Sequence, residues 1–341
     1  MAAARDLTLI VDLAGRDDEL RRALEDLRMN RHFAMRSVLM KSWRDWPLRT
    51  ARSQVLAVGA GDGAAVAAWL DEEPRSADAL MMWARVLTRQ AVRAFRQGKD
   101  EALLSRAAGV ARDACWTALR NSPGDPVPWV CLLDLAKLPI DVRHLDPFFR
   151  QRSYQWGRAP EMGLFDGPWP LLHEVDQCDP GNREAYHRMR EYADARLSGG
   201  LAVDFSRWVS GRAPYGSSLH VVPLYAFLAE YRRRHADGRG GAIAFWTTSQ
   251  VKHYARKACD EWFYATPVPE RSRLSLVDLN HLAFVLVACG EIGAGGVFEE
   301  IGPYATNAPW AQVSETLGRD WQSEFRRMRD SSLRRRGEHR R

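Results

Sequence analysis

Lysine is nearly missing from this chain: of 49 basic residues, five are lysines (positions 41, 99, 137, 252 and 257) and 44 are arginines. None of the five follows a glycine-rich loop with Ser or Thr after it, which excludes a Walker-type phosphate cradle. The nine histidines include no HExxH, and no histidine–cysteine set has zinc-finger spacing, so no metal ligand and no cofactor is expected. Long apolar runs are also lacking. The longest is Leu282 to Cys289, far short of the ~20 residues that span a bilayer, and a membrane partner is not expected. Arg5, Asp6 and Asp12 surround the short apolar stretch near the N-terminus, which is not a signal-peptide pattern. Cysteines are five, odd in number and widely spaced (115, 131, 178, 259 and 289), which reads as reduced core thiols in a cytoplasm. Only Leu7 to Leu13 alternates like a strand, and one strand does not make a sheet.

Charge of one sign is absent from the body of the chain. The formal net charge is +6, and residues 326–341 carry eight arginines against Asp330 and Glu338, which accounts for all of it. The rest shows no overall basic bias toward nucleic acid.

Helical signals fill that body. Residues 17–28 open with acids in the first turn and place Leu20, Leu24 and Leu27 on one side. Ser76 is a suitable N-cap for a helix over 76–97, with Leu80, Ala84, Leu87, Ala91 and Ala94 on one stripe. Residues 101–120 repeat the pattern with Leu104, Ala108, Ala111, Cys115 and Ala118, small enough for a neighbouring helix to approach closely. Further helices are predicted at 126–138, 180–196, 201–211, 223–235, 249–264, 275–289 and 310–330.

The spacing of Ala111, Cys115, Ala118, Pro123 and Trp129, with Leu132, Leu133 and Ala136 following, matches a tetratricopeptide junction. Asp179-Pro180-Gly181-Asn182 before Ala185-Tyr186 resembles a second one. The expected fold is all-α, a tetratricopeptide-like helical-hairpin array (an α-solenoid or a compact helical repeat) with degenerate repeats. Four regions are expected: a helical 1–75, tetratricopeptide-like helices over 76–200, a helical 201–330, and a basic disordered tail at 331–341. Residues 69–86, 121–136, 179–189 and 278–302 resemble stretches of uncharacterised actinobacterial proteins with tetratricopeptide-like helices. That resemblance covers most of 40–310 and implies an architecture but no catalytic residues.

Residues 139–178 interrupt the helices with Pro139, Pro147, Pro160, Pro168 and Pro170, three glycines and six aromatics. Such an insertion is either a binding loop or a strap packed over the core, and Trp156, Phe165 and Trp169 are its candidate partner-binding residues. The run Val55 to Gly63 looks like the glycine turn by which methyltransferases hold their cofactor. It lacks the following strand and β/α alternation, and reads instead as a turn between helices. Gly216-Ser217-Ser218 lacks a nucleophile elbow's context and reads as a helix cap. His187 and His253 read as exposed or capping, and His281 as bonded to a buried carbonyl.

With helix pairs and no reactive set, the leading expectation is a non-enzymatic protein–protein interaction scaffold. Two alternatives stand beside it. One is an all-helical enzyme with a non-motif active site. The other is a nucleic-acid-associated protein acting through the tail, with Arg334, Arg335 and Arg336 as its contacts.

Overall fold

The computed structural model describes residues 7–140, 156–235, 242–316 and 318–339. The chain is all-helical, with helix at 72% and no strand among the described residues. It divides into two compact units, residues 17–202 and residues 1–16 with 203–341.

The unit of residues 17–202 begins with α1 (Asp18–Arg28), α2 (Phe33–Lys41), α3 (Trp46–Gly59) and α4 (Ala64–Glu72). Asp17 and Asp45 cap α1 and α3 by accepting from the amides of Leu20 and Leu48. Next come its two longest helices, α5 (Ala77–Arg96) and α6 (Glu101–Asn121), started by Ser76 and Asp100 in the same way. They form an antiparallel hairpin in which Ala84, Ala91, Ala108 and Ala111 are fully buried, so that small side chains bring the backbones close. α3 and α4 pack on α5 too, so the regions expected to meet at residue 75 form one unit from residue 17 onward. α7 (Pro126–Leu135) starts with prolines at its first turn, where a missing N–H costs nothing. α8 (Trp169–Cys178) and α9 (Arg183–Arg196) complete the unit, with Asn182 capping α9 through Ala185 N–H.

The tetratricopeptide-like spacing at 111–136 leads to α7 beside α6, with Trp129 half-buried and edge-on to Trp116 at 5.5 Å. Much of the 139–178 insertion, 141–155, lies outside the described residues. From Gly157 a loop closes by paired amide–carbonyl bonds with Gly167 (2.8 and 3.0 Å), and Trp169 already begins a helix.

The second unit contains α10 (Gly199–Arg212, which begins before the division), α11 (Val222–Arg234), α12 (Ala242–Trp246) and α13 (Ser249–Ala258). It continues with α14 (Leu276–Ala288), α15 (Ala294–Ile301), α16 (Asn307–Thr316) and α17 (Trp321–His339). Its core is aromatic, with Phe298, Trp310 and Phe325 packed ring to ring at 5.1 to 6.1 Å. Trp246 and Phe284 extend the cluster. The alternating N-terminal segment joins this unit by a single parallel bridge. Ile10 N–H donates to Pro303 O, and Ala305 N–H donates to Ile10 O, at 2.9 and 3.0 Å. Residues 7–16 therefore do not belong with the helices that follow them in sequence.

The disordered tail expected at 331–341 needs correction over 331–339, where α17 continues to His339. Leu333 packs against the core, and Arg336 pairs with Glu299 at 3.1 Å. Glycine lets α15 meet that helix closely: a Cβ at Gly295 would come within 2.8 Å of Ser332 O.

Candidate partner-binding groove

The apolar stripe of α5 is wider than the surface α6 covers. Ala84 and Ala91 are buried in the hairpin, but Leu80 and Leu87, one step round the helix, are only half-buried. With Trp83 they form one wall of a surface groove of 310 Å³, whose other wall is Val110, Asp113, Ala114 and Thr117 of α6. Val110 is 50% exposed and Leu103, about two turns further toward the N-terminus of α6, is 51% exposed. Asp113 is exposed; its carboxylate makes no hydrogen bond or salt bridge among the described residues, and its charge acts on the neighbouring Arg112.

The glycine run supports this wall. α3 runs through Gly59, Gly61 and Gly63 take φ of +57° and +92°, and α4 starts at Ala64. A Cβ on Gly63 would lie 3.1 Å from the Trp83 ring and 3.0 Å from Val86. Glycine thus admits the turn against the ring and supplies a backbone conformation that other residues adopt at a cost. Gln90, one turn further on, donates to Asp62 O at 2.8 Å and ties the turn to α5.

The residues singled out in the insertion are placed differently. Phe165 and Trp169 are 7% and 9% exposed, in contact with each other, and Phe165 also meets the Tyr192 ring. The Trp169 indole donates to Phe165 O at 2.7 Å. Both belong to the interior of their unit, which corrects their assignment to a partner surface. Trp156 is exposed and edge-on to Tyr192 at 5.4 Å. Of the arginines assigned to nucleic acid, Arg336 is held by Glu299, while Arg334 and Arg335 are exposed.

A buried ionic interior also went unread in the sequence. Arg49 is fully buried between Asp125 and Asp78, at 2.8 and 2.6 Å. Arg85 binds both oxygens of Glu184, at 2.8 and 2.7 Å. Burial opposes the charge on Arg49, but the two carboxylates outweigh it and hold its pKa above the ordinary value. Beside Arg85, the buried Cys115 Sγ lies 3.8 Å from Thr88 Oγ1, and burial pushes the Cys115 thiol well up. These groups face one another inside the unit and not a solvent-filled cleft.

In the second unit Ser210 Oγ lies 3.3 Å from Nδ1 of His220, whose Nε2 is 3.1 Å from Pro214 O and 3.6 Å from Glu261. Burial, aided by Lys257, lowers the pKa of His220, and the neutral ring bridges the Ser210 hydroxyl and the Pro214 carbonyl. Ser210 and His220 are both fully buried, and the pair ties α10 to the following loop. Ser217 caps the short helix after it by accepting from Leu219 N–H. His281 bonds Val277 O at 2.8 Å and His253 is exposed, while His187, read as exposed or capping, is buried. Among the described residues no three of His, Cys, Asp and Glu converge as metal ligands, and no helix is long and apolar enough to cross a membrane.

Comparison with protein-family models, with curated proteins and with solved structures finds no match to this chain.

Proposed function

We propose that this chain is a non-enzymatic protein–protein interaction scaffold of the cytoplasm, built as a degenerate tetratricopeptide-like array like the actinobacterial proteins it resembles. The α5–α6 groove is its docking site, and one amphipathic helix of a partner is the occupant. The carrying observation is the open apolar groove between Leu80, Trp83 and Leu87 on one wall and Val110 on the other, with an exposed carboxylate, Asp113, on its edge. A helix presents apolar side chains at i, i+3, i+4 and i+7, which fits a groove about two turns long. A lysine or arginine on its flank would meet Asp113, which fixes the direction in which it lies.

A photoreactive amino acid at Val110, and separately at the exposed Ile292 of the other unit as a control, tests the reading in the native host. The expected result is a crosslink from position 110 to the apolar face of a helical segment, lost when Leu87→Asp is added. No adduct at 110, or equal adducts at 292, would reject the groove as the docking site.

A further inference from the structure

Across the described part of residues 17–202, arginines that pack against the fold are mostly matched by carboxylates. Arg49 meets Asp78 and Asp125, Arg52 meets Asp17 and Glu19, and Arg85 meets Glu184. The second half of α5 departs from this. Arg89, Arg93 and Arg96 stand at spacings of four and three on one face, half-buried, exposed and exposed. None has an ion-pair or hydrogen-bond partner for its side chain among the described residues. The charges acting on Arg89 are the two other arginines, which add to burial in making its charged form harder to hold. Cations in a last turn are favoured by the helix dipole, which accounts for Arg93 and Arg96. It does not account for Arg89, which lies a turn further in and repels its neighbour at i+4.

We propose that this ridge is a second interaction surface, and that its partner is an acidic helix of another protein. Arg89 is about 160° round α5 from Leu87, at ~100° per residue, so ridge and groove are separate surfaces. Along the axis the three arginines rise by about 6 and 4.5 Å, the same steps as carboxylates at i, i+4 and i+7 of a facing helix. A nucleic acid is disfavoured by the surroundings. Residues 17–202 hold 27 Lys and Arg against 26 Asp and Glu, which gives a polyanion no long-range attraction. Phe95, the nearest aromatic in sequence, packs on the core and offers no face for a base. A lipid surface is disfavoured because Ala91 and Val92 beside the ridge are buried and cannot enter a bilayer.

The test uses the full chain and a fluorescein-labelled alanine-rich helical peptide with glutamates at i, i+4 and i+7. A lysine-for-glutamate peptide, a DNA duplex and phosphatidylserine vesicles serve as competitors for the reading. The glutamate peptide is expected to bind, and Arg89→Ala/Arg93→Ala/Arg96→Ala to weaken it about tenfold, since exposed ion pairs contribute up to about fivefold each. The corresponding triple lysine variant should retain most of the affinity. Arg89→Glu should lose binding without melting earlier, which separates loss of binding from loss of fold. Val110→Asp, in the groove, should leave peptide binding unchanged, so that either surface can fail alone. Unaltered affinity in the triple alanine variant would overturn the proposal, as would DNA or vesicles binding the ridge more tightly than the peptide.

Discussion

The two units of this chain are held together by different interiors. Among the described residues every buried arginine and lysine lies within 17–202, where Arg49, Arg85 and Lys137 are each clasped by carboxylates. The unit of 1–16 and 203–341 is built round a larger set of rings, with Tyr231, Trp246, Phe284, Phe298, Trp310 and Phe325 in one cluster. Apolar burial is tolerant of exact partner and geometry, whereas a buried charge is costly unless each partner is in place. The first unit should therefore be the more sensitive to single substitutions at its polar positions and to acid. The second should depend on ring volume.

The largest expected effect comes from Glu184→Ala. It leaves Arg85 without its carboxylate and Arg188 without one of its three acidic neighbours, at a cost of ~3–5 kcal/mol in urea unfolding. Arg85→Met combined with Glu184→Leu should recover much of that loss, because the pair is then replaced by apolar volume. A single substitution costing under about 1 kcal/mol would show that the ionic interior is not what holds this unit.

Trp310→Phe probes the other interior. The ring volume is largely kept, but the indole no longer donates to Asn280 Oδ1, a buried bond of 2.7 Å. A loss of ~1–3 kcal/mol in the same measurement is expected, the cost of an orphaned buried acceptor.

Acid should separate the units next. Burial acts to raise Glu184 and Glu191, but Arg85 and Arg188 for the first, and Arg188 and Lys137 for the second, outweigh it, so both ionise below the ordinary carboxylate value. A depressed folded pKa stabilises fully above the unfolded value of about 4.3, and that contribution is lost as pH falls below it. Asp176 and Asp179 act in the opposite sense. Burial raises both, so they regain stability as they take up protons, which softens the upper part of the acid limb. Peptide-resolved hydrogen exchange below pH 4 should find 17–202 opening before the aromatic cluster. Simultaneous opening would remove the distinction.

The smallest expected effect is a gain. Arg89→Glu replaces a repulsion along α5 by an attraction to Arg93 at i+4, worth ~0.2–0.5 kcal/mol in thermal melting at low salt. A loss instead would mean that Arg89 has a stabilising role within the fold.

Local pattern carried the helices of this fold into view. Ser76 as a cap and the buried run Leu104, Ala108, Ala111, Cys115, Ala118 could be read because cap and stripe lie within one element. The groove could not be read in the same way. Leu80 and Leu87 continue the stripe of Ala84 and Ala91, and nothing in the sequence says where the cover provided by α6 ends. The ionic interior was hidden by distance along the chain, since Arg49 meets Asp125 76 positions later and Arg85 meets Glu184 99 positions later. Phe165 and Trp169 illustrate the reverse error: in an irregular, proline-rich setting they stood as partner-binding candidates, yet Phe165 packs on Tyr192 and Trp169 on Phe165. The arginine-rich end was read by composition, which missed Leu333 as an anchor and Glu299 as a partner.

Ile10 and Arg16 are bound by residues made nearly three hundred positions after them. Arg16 meets Glu300 284 positions downstream, so at ~5–20 residues per second its partner leaves the ribosome roughly 15–60 s later. For that interval the helices of 17–202 can fold while residues 7–16 wait, with Leu9 lacking its core and Ile10 its backbone partners. Order of synthesis and order of completion thus differ within this chain: residues 7–16 precede 17–202 yet find their place after them, and a ribosome stalled before residue 300 would display them without their partners.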